Sequence, residues 1–342
     1  MFEGERMKKY ILILVTAVIF CLNIAAAFAD PIEVYFNDPY NNPKDRTIQN
    51  MLLDDIRSAK KTIDVATYNY TDTKTASALI EAVHRGVRVR LVIDEENARK
   101  NVINDLRDGG VSVITAESNG LMHAKYMIVD GAVVISGSAN MTLASFSSDN
   151  NFMIRMESPE AAKVFTEEFE EMFLDCIFGE ESPRSKAASA VKLEDGTTVY
   201  IRFSPDDGID DMIEKLIAAA SESVYMLAYS FASRDIAERL EAADNDGLDV
   251  IVICEDEKAY TDGGGQCGPL SEAGLQVYVD GYPDTLMHEK VIILDNSVVI
   301  AGSYNFTRSA DKRNDEQVLV IQSRDIADLF LGEFDKILEE AR

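Results

Sequence analysis

The sequence predicts an α/β protein built from two similar α/β/α halves, with mostly parallel sheets, related by a pseudo-twofold axis. Three observations carry that expectation. Residues 61–99 lie over residues 222–259: each stretch reads as an apolar strand, an amphipathic helix, a glycine and a second apolar strand. Such a β-α-β unit with near-continuous apolar strands asks for cover on both faces of its sheet. A second pair of near copies, LMHAKYMIVDGAVVISGSAN at 121–140 and LMHEKVIILDNSVVIAGSYN at 286–305, follows each unit after a connection of similar length. Each half then closes on one helical pattern, at 159–178 and 323–342, with apolar positions recurring at helix spacing. Copies in the same order mark a tandem duplication. A single continuous sheet is the competing arrangement.

Residues 1–29 read as a signal peptide. Lys8 and Lys9 precede the apolar run YILILVTAVIFCLNIAAA, and Ala27, Phe28 and Ala29 give the small-x-small pattern that comes before a cleavage point. The chain is therefore expected to be exported, either secreted or periplasmic. An uncleaved membrane anchor is the alternative, because the run approaches the length of a span. Residues 30–180 make the first half, 181–198 (ESPRSKAASAVKLEDGTT) a polar, small-residue linker, and 199–342 the second half. The first strand of each β-α-β unit ends in Tyr68-x-Tyr70 or Tyr229-x-Phe231, and Gly86 or Gly247 separates helix from second strand. Aromatics at the C-terminal ends of such strands either line a ligand entrance or pack beneath the loops.

A composition of 46% hydrophobic and 27% charged residues belongs to a globular chain and excludes disorder as the default. Sixty acidic residues against 33 basic ones leave a net charge of -27. That charge opposes diffuse attraction to nucleic acid or anionic lipid, although a local basic pocket fits within it. Once Cys21 leaves with the leader, Cys176, Cys254 and Cys267 remain, an odd number. Cys254 and Cys267 flank a Gly-rich loop and are the best candidate pair; three reduced thiols are the alternative. TDGGGQCG lacks the Lys-Ser/Thr of a phosphate loop and reads as a flexible connection. No C-x-x-C or Cys/His cluster supports zinc, and neither metal nor cofactor is expected.

The chain has three histidines, and two of them occupy the repeated stretches. Because strand side chains alternate, His123 and Lys125 share one face, as do His288 and Lys290. AKYMIV turns at Asp130-Gly131 into AVVIS, and EKVIIL turns at Asp295-Asn296 into SVVIA, so a hairpin returns Ser138 and Asn140, or Ser303 and Asn305, beside the histidine. Lys and Asn donate to phosphate oxygens, while histidine attacks or moves a proton. One half thus carries half a mechanism, and two facing halves supply a nucleophile and an acid. Asp130 and Asp295, at turn positions, read as scaffold. Ser138 and Ser303 either orient the site or close the turn. The third histidine, His84, ends a helix, where a cation is favoured, and reads as surface.

The motifs His123-x-Lys125-x4-Asp130-x6-Gly137-Ser138-x-Asn140 and His288-x-Lys290-x4-Asp295-x6-Gly302-Ser303-x-Asn305 resemble the paired signature of the phospholipase D superfamily. The resemblance implies metal-independent cleavage of a phosphodiester through a covalent phosphohistidine. It makes His123 the nucleophile and His288 the general acid/base, with Lys125, Lys290, Asn140 and Asn305 holding phosphate. It also implies a phospholipid substrate, cleaved to phosphatidic acid and a free head group during transient membrane contact, with no obligate protein partner. A nonspecific endonuclease acting on DNA or RNA at the same site is the alternative. Relatives often carry an acidic residue eleven positions after the motif Asn; Glu316 stands there in the second copy but Asn151 in the first. A carboxylate fixes the tautomer of an imidazole and raises its basicity, so the two histidines are expected to be inequivalent.

Overall fold

In the computed structural model, which describes residues 31–42, 44–183, 190–261, 264–281 and 285–342, each repeated unit becomes the centre of one sheet. Ile32–Arg342 form one compact unit. The expected signal peptide lies outside the described residues, among which no helix is long and apolar enough to cross a membrane.

The first sheet comprises β1 (Ile32–Phe36), β2 (Thr62–Thr67), β3 (Arg88–Asp94), β4 (Ser112–Ala116), β5 (Lys125–Val129), β6 (Val133–Gly137) and β7 (Phe152–Glu157), in the order β1-β7-β6-β5-β2-β3-β4. The second comprises β8 (Ala190–Lys192), β9 (Thr198–Ser204), β10 (Ser223–Ala228), β11 (Asp249–Cys254), β12 (Gln276–Val279), β13 (Lys290–Leu294), β14 (Val298–Gly302) and β15 (Glu316–Gln322), in the order β12-β11-β10-β13-β14-β15-β9-β8. The two-half α/β architecture is the one the repeats predict, and two sheets form instead of one.

The sheets are mixed, which corrects the expectation of mostly parallel strands. Only β2-β3-β4 and β10-β11-β12 run parallel. The hairpin after each histidine and the strand that returns from it pair antiparallel. A strand buried on both faces is apolar throughout whichever way its neighbour runs, so composition could not separate the two cases. The segment read as a linker also contributes structure, because Ala190–Lys192 pair with β9.

The helices are α1 (Thr47–Ser58), α2 (Thr73–His84), α3 (Asn101–Asp108), α4 (Leu143–Ser147) and α5 (Pro159–Glu170) in the first half. The second half has α6 (Ile209–Ala219), α7 (Arg234–Asn245), α8 (Asp256–Thr261), α9 (Cys267–Ala273), α10 (Arg308–Lys312) and α11 (Arg324–Ala341). Exposed His84 is the last residue of α2. Both closing helices start on a serine whose hydroxyl accepts a backbone N–H in the first turn, Ser158 from Ala161 and Ser323 from Ile326. Their apolar faces enter a core shared by the sheets. Phe165 of α5 meets Phe203 of β9 at 5.3 Å, and Phe330 of α11 meets Phe36 and Phe152 at 5.1 and 5.2 Å. Each closing helix therefore packs on strands of the other half, and separating the halves would strip this aromatic cluster of its cover.

Reciprocal backbone bonds also join the halves. His123 N donates to Asp315 O and Asp315 N to Leu121 O, while His288 N donates to Asn150 O and Asn150 N to Leu286 O. That pairing of equivalent segments is what a pseudo-twofold relation produces. Cys254, at the end of β11, forms a disulfide with Cys267, the first residue of α9, and Cys176 is free and exposed. Asp262 and Gly263, in the middle of TDGGGQCG, lie outside the described residues.

Candidate active site

Each histidine sits two residues ahead of the lysine that opens a hairpin. The hairpin turns at Asp130 and Gly131 have φ of 53° and 64°, and those at Asp295 and Asn296 have φ of 50° and 45°. Two successive positive φ values make the tight turn that suits strand twist, which is why Asp-Gly and Asp-Asn stand there. The Asp130 carboxylate accepts from the backbone N–H groups of Lys60, Lys61 and Thr62 at 2.8, 2.7 and 2.9 Å. Asp295 does the same for Ser221, Glu222 and Ser223. Burial alone would raise both carboxyls; these N–H groups outweigh it and hold them below the usual carboxylate value.

Both aspartates stand past the far end of a five-residue strand from the histidine, and that strand alone spans roughly 16 Å at about 3.3 Å per residue. Asp295→Ala is accordingly expected to cost about 1–2 kcal/mol of stability, as the loss of a capping carboxylate does, with kcat within about twofold of the parent. Thermal melts with parallel rate measurements check this; a large fall in kcat at unchanged stability would place Asp295 in the chemistry instead.

At the near end of the hairpins the side chains cross between halves. His123 Nδ1 lies 2.8 Å from Glu316 Oε2, and His288 Nδ1 lies 2.9 Å from Asn151 Oδ1. Each histidine is thus oriented by the other half. The serines act one step behind. Ser303 Oγ donates to Glu316 Oε2 (2.7 Å) and accepts from Gln317 N (3.0 Å), while Ser138 Oγ donates to Asn151 Oδ1 (2.9 Å) and accepts from Phe152 N (3.1 Å). Gln317 completes the crossing: its Oε1 accepts from Lys125 N, and its Nε2 donates to Lys125 O and Gly137 O. Asp94 Oδ2 accepts from Met122 N at 2.9 Å and fixes the residue before His123.

Both histidines are 8% exposed, and Lys125 and Lys290 are 1% and 2% exposed. Each lysine Nζ donates to the carbonyl of its own histidine. Burial drives the Lys125 ammonium down to about 7, and burial together with the charge of Lys125 drives Lys290 well below its ordinary value. Burial would raise Glu316, but His123 and Lys125 outweigh it and keep it anionic. Burial also lowers His123, with Glu316 opposing, and lowers His288 much further, where Lys290, Lys125 and His123 all add to it. Tyr68 packs 5.2 Å from the His123 ring and Tyr229 4.6 Å from the His288 ring, with Lys290 Nζ 4.3 Å from the Tyr229 centroid. Tyr70 and Phe231 are buried in the core. Asn140 and Asn305 each keep a buried Oδ1 with no partner among the described residues.

The site therefore gathers, within an acidic chain, two imidazoles, two buried lysine amines and one carboxylate, walled by two tyrosines. An imidazole whose Nδ1–H is held by a carboxylate presents a basic Nε2, suited to attack on phosphorus or to proton transfer. The family described as "Cardiolipin synthase, PLD-like domain" matches residues 52–173 and again 213–338, one match in each half. The chain belongs to the phospholipase D superfamily. Phospholipase D of Rickettsia bellii (strain RML369-C) is 37% identical over 129 residues, covering 38% of this chain and 63% of the relative. Mitochondrial cardiolipin hydrolase of Xenopus laevis is 32% identical over 124 residues, covering 36% of this chain and 59% of the relative. The matches thus span less than two thirds of those relatives' own length. The crystal structure of phosphatidylserine synthase from Haemophilus influenzae Rd KW20 shares the fold with a TM-score of 0.69 at 18% identity, over 92% of this chain and 86% of that one.

Glu316 was legible in the sequence, but its partner in the other half was not. Gln317 gave no sequence signal, since a Gln inside an apolar strand resembles any buried polar residue until the facing carbonyls are known.

Proposed function

We propose that this chain is an exported phosphodiesterase that cleaves phospholipid to phosphatidic acid and a free head group, without a metal and through a phosphohistidine. The observation that carries this reading is the crossed pairing, which ties His123 Nδ1 to anionic Glu316 and leaves its Nε2 free to attack. As the Nε2–P bond forms, the P–O bond to the head-group alcohol breaks, and the alcohol oxygen takes a proton from His288. Water then attacks the phosphohistidine while His288 recovers the proton, and the P–N bond breaks to release phosphatidic acid. Lys125, Lys290, Asn140 and Asn305 donate to the non-bridging oxygens, where charge builds up. Two buried ammonium groups in one pocket gain from an anion that lies between them.

The net charge of -27 works against long anionic polymers, whose binding leans on distributed Lys and Arg, and favours a zwitterionic lipid surface over nucleic acid. The similar relatives named above, a phospholipase D and a cardiolipin hydrolase, point the same way. The Cys254–Cys267 disulfide suits an oxidising compartment and supports export.

The test is a panel of phosphatidylcholine vesicles, cardiolipin vesicles, single-stranded DNA and RNA, with EDTA and with added ethanol. Phosphatidic acid should form from vesicles, phosphatidylethanol should appear with ethanol, and EDTA should leave both rates unchanged. Cleavage of DNA or RNA with no lipid turnover would replace this reading by a nuclease.

A further inference from the structure

The amide at Asn151 is built into its surroundings. Its Nδ2 donates to the carbonyl oxygens of Ser145 and Asp149 at 3.3 and 3.4 Å, and the same two carbonyls accept from Asn37 Nδ2 at 2.9 and 2.7 Å. Two acceptors thus face the distal atom of residue 151 and select an N–H there; a carboxylate oxygen would meet two carbonyls. At Glu316 the setting is opposite, because its distal Oε1 accepts from Asn314 Nδ2 at 3.1 Å. With Nδ2 placed by those carbonyls, Asn151 Oδ1 must be the acceptor from both Ser138 Oγ and His288 Nδ1. His288 therefore carries its Nδ1 proton permanently, and Nε2 is the nitrogen that exchanges.

We propose that Asn151 is a positioning residue for proton delivery: its neutral amide fixes the tautomer of His288 without a counter-charge, so that the His288 half-site is specialised to give up a proton while the His123 half-site is specialised to attack. The proposal rests on the phosphodiesterase reading above. The groups that face His288 include Lys290 two residues on, Lys125 and His123 from the other half, the Tyr229 ring and the Ser138 backbone carbonyl. None of these groups is anionic, so apart from the Ser138 backbone carbonyl, which favours the protonated ring, the imidazolium has no counter-charge, and its Nε2 proton passes to the leaving alkoxide as the P–O bond breaks. Burial, with the like charges of Lys290, Lys125 and His123 added to it, makes His288 lose its proton at lower pH than an ordinary imidazole.

The sign of the pH dependence follows. Turnover that needs protonated His288 is present below its pKa and lost as pH rises through it. Asn151→Asp places a carboxylate against Nδ1, stabilises the imidazolium, and moves the alkaline limb upward by about one unit or more. With the full chain labelled on its three histidines, long-range 1H–15N spectra follow each imidazole. The expected result is that His288 titrates below an ordinary imidazole and that Asn151→Asp raises it. Glu316→Gln should lower His123 in the same way, which keeps the test usable if Asn151→Asp fails to fold.

In rate measurements Asn151→Asp should shift the alkaline limb for an alkyl phosphodiester and barely change it for a p-nitrophenyl ester, whose leaving group needs little protonation. An unmoved His288 titration in Asn151→Asp, or an equal change with both esters, would overturn the proposal. The spectra need no substrate, so a chain that cleaves no phosphodiester would end the functional reading while still reporting on the Asn151–His288 pair.

Discussion

Replacing His123 by Asn is expected to lower kcat on a phosphodiester by about 100,000-fold or more, the scale on which an enzyme loses its nucleophile. His288→Asn is expected to lower it by about 100- to 10,000-fold, the range that a general acid supplies. Asn is the informative replacement because its side-chain amide N–H stands where Nδ1–H stands. It can keep the bond to Glu316 or Asn151 while deleting Nε2, so stability should change little. The two losses should also differ in kind. A p-nitrophenyl ester, which leaves without protonation, should restore the burst of p-nitrophenol release in His288→Asn, though not the water-attack step that His288 also assists, and should restore nothing in His123→Asn. The double variant should be no slower than His123→Asn, since the acid has no bond-breaking step left to assist. Normal turnover in either single variant on the substrate that the parent cleaves best would sink the shared-site mechanism. Recovery in the His123 variant alone would exchange the two roles.

How much of this was legible in the sequence depends on how local each interaction is. The hairpins were, because Asp130-Gly131 and Asp295-Asn296 declare a two-residue turn between apolar runs and that turn depends on nothing distant. The aspartate-to-backbone contacts were half legible: the turn position was readable, while the facing N–H groups lie about 70 residues upstream. The crossed histidine partners were not legible, because Glu316 and His123 are 193 residues apart and the next strand of one sheet gives no hint of the sheet it will face. Alternation is also no guide past the strand ends. Tyr68 and Tyr70 have the i, i+2 spacing of one strand face, but β2 ends at Thr67, so Tyr68 packs on His123 while Tyr70 turns into the core.

The motif glycines carry the second large expected effect, and it too crosses between halves. A Cβ on Gly302 would lie 2.1 Å from Gln317 O and 3.0 Å from Val318 Cα, and one on Gly137 would lie 2.3 Å from Phe152 O. These obstacles are backbone atoms of the neighbouring strand, which cannot rotate away as a side chain can. Gly302→Ala must therefore push β14 from β15 and should cost about 3 kcal/mol, the upper end of overpacking penalties. The displaced segment includes Ser303, whose hydroxyl joins Gln317 N to Glu316, and Glu316 orients His123. A methyl group added in the second half should thus impair the histidine of the first. A misplacement on the order of 1 Å is enough to cost about 100-fold in kcat. Gly137→Ala should act through Ser138 and Asn151 on His288. The signatures separate the two: the loss in Gly302→Ala should be the same for good and poor leaving groups, whereas that in Gly137→Ala should shrink with the p-nitrophenyl ester. Melting curves and rates with both esters measure this, and an unchanged melting temperature with parent-like rates would show that the close strand approach is not required.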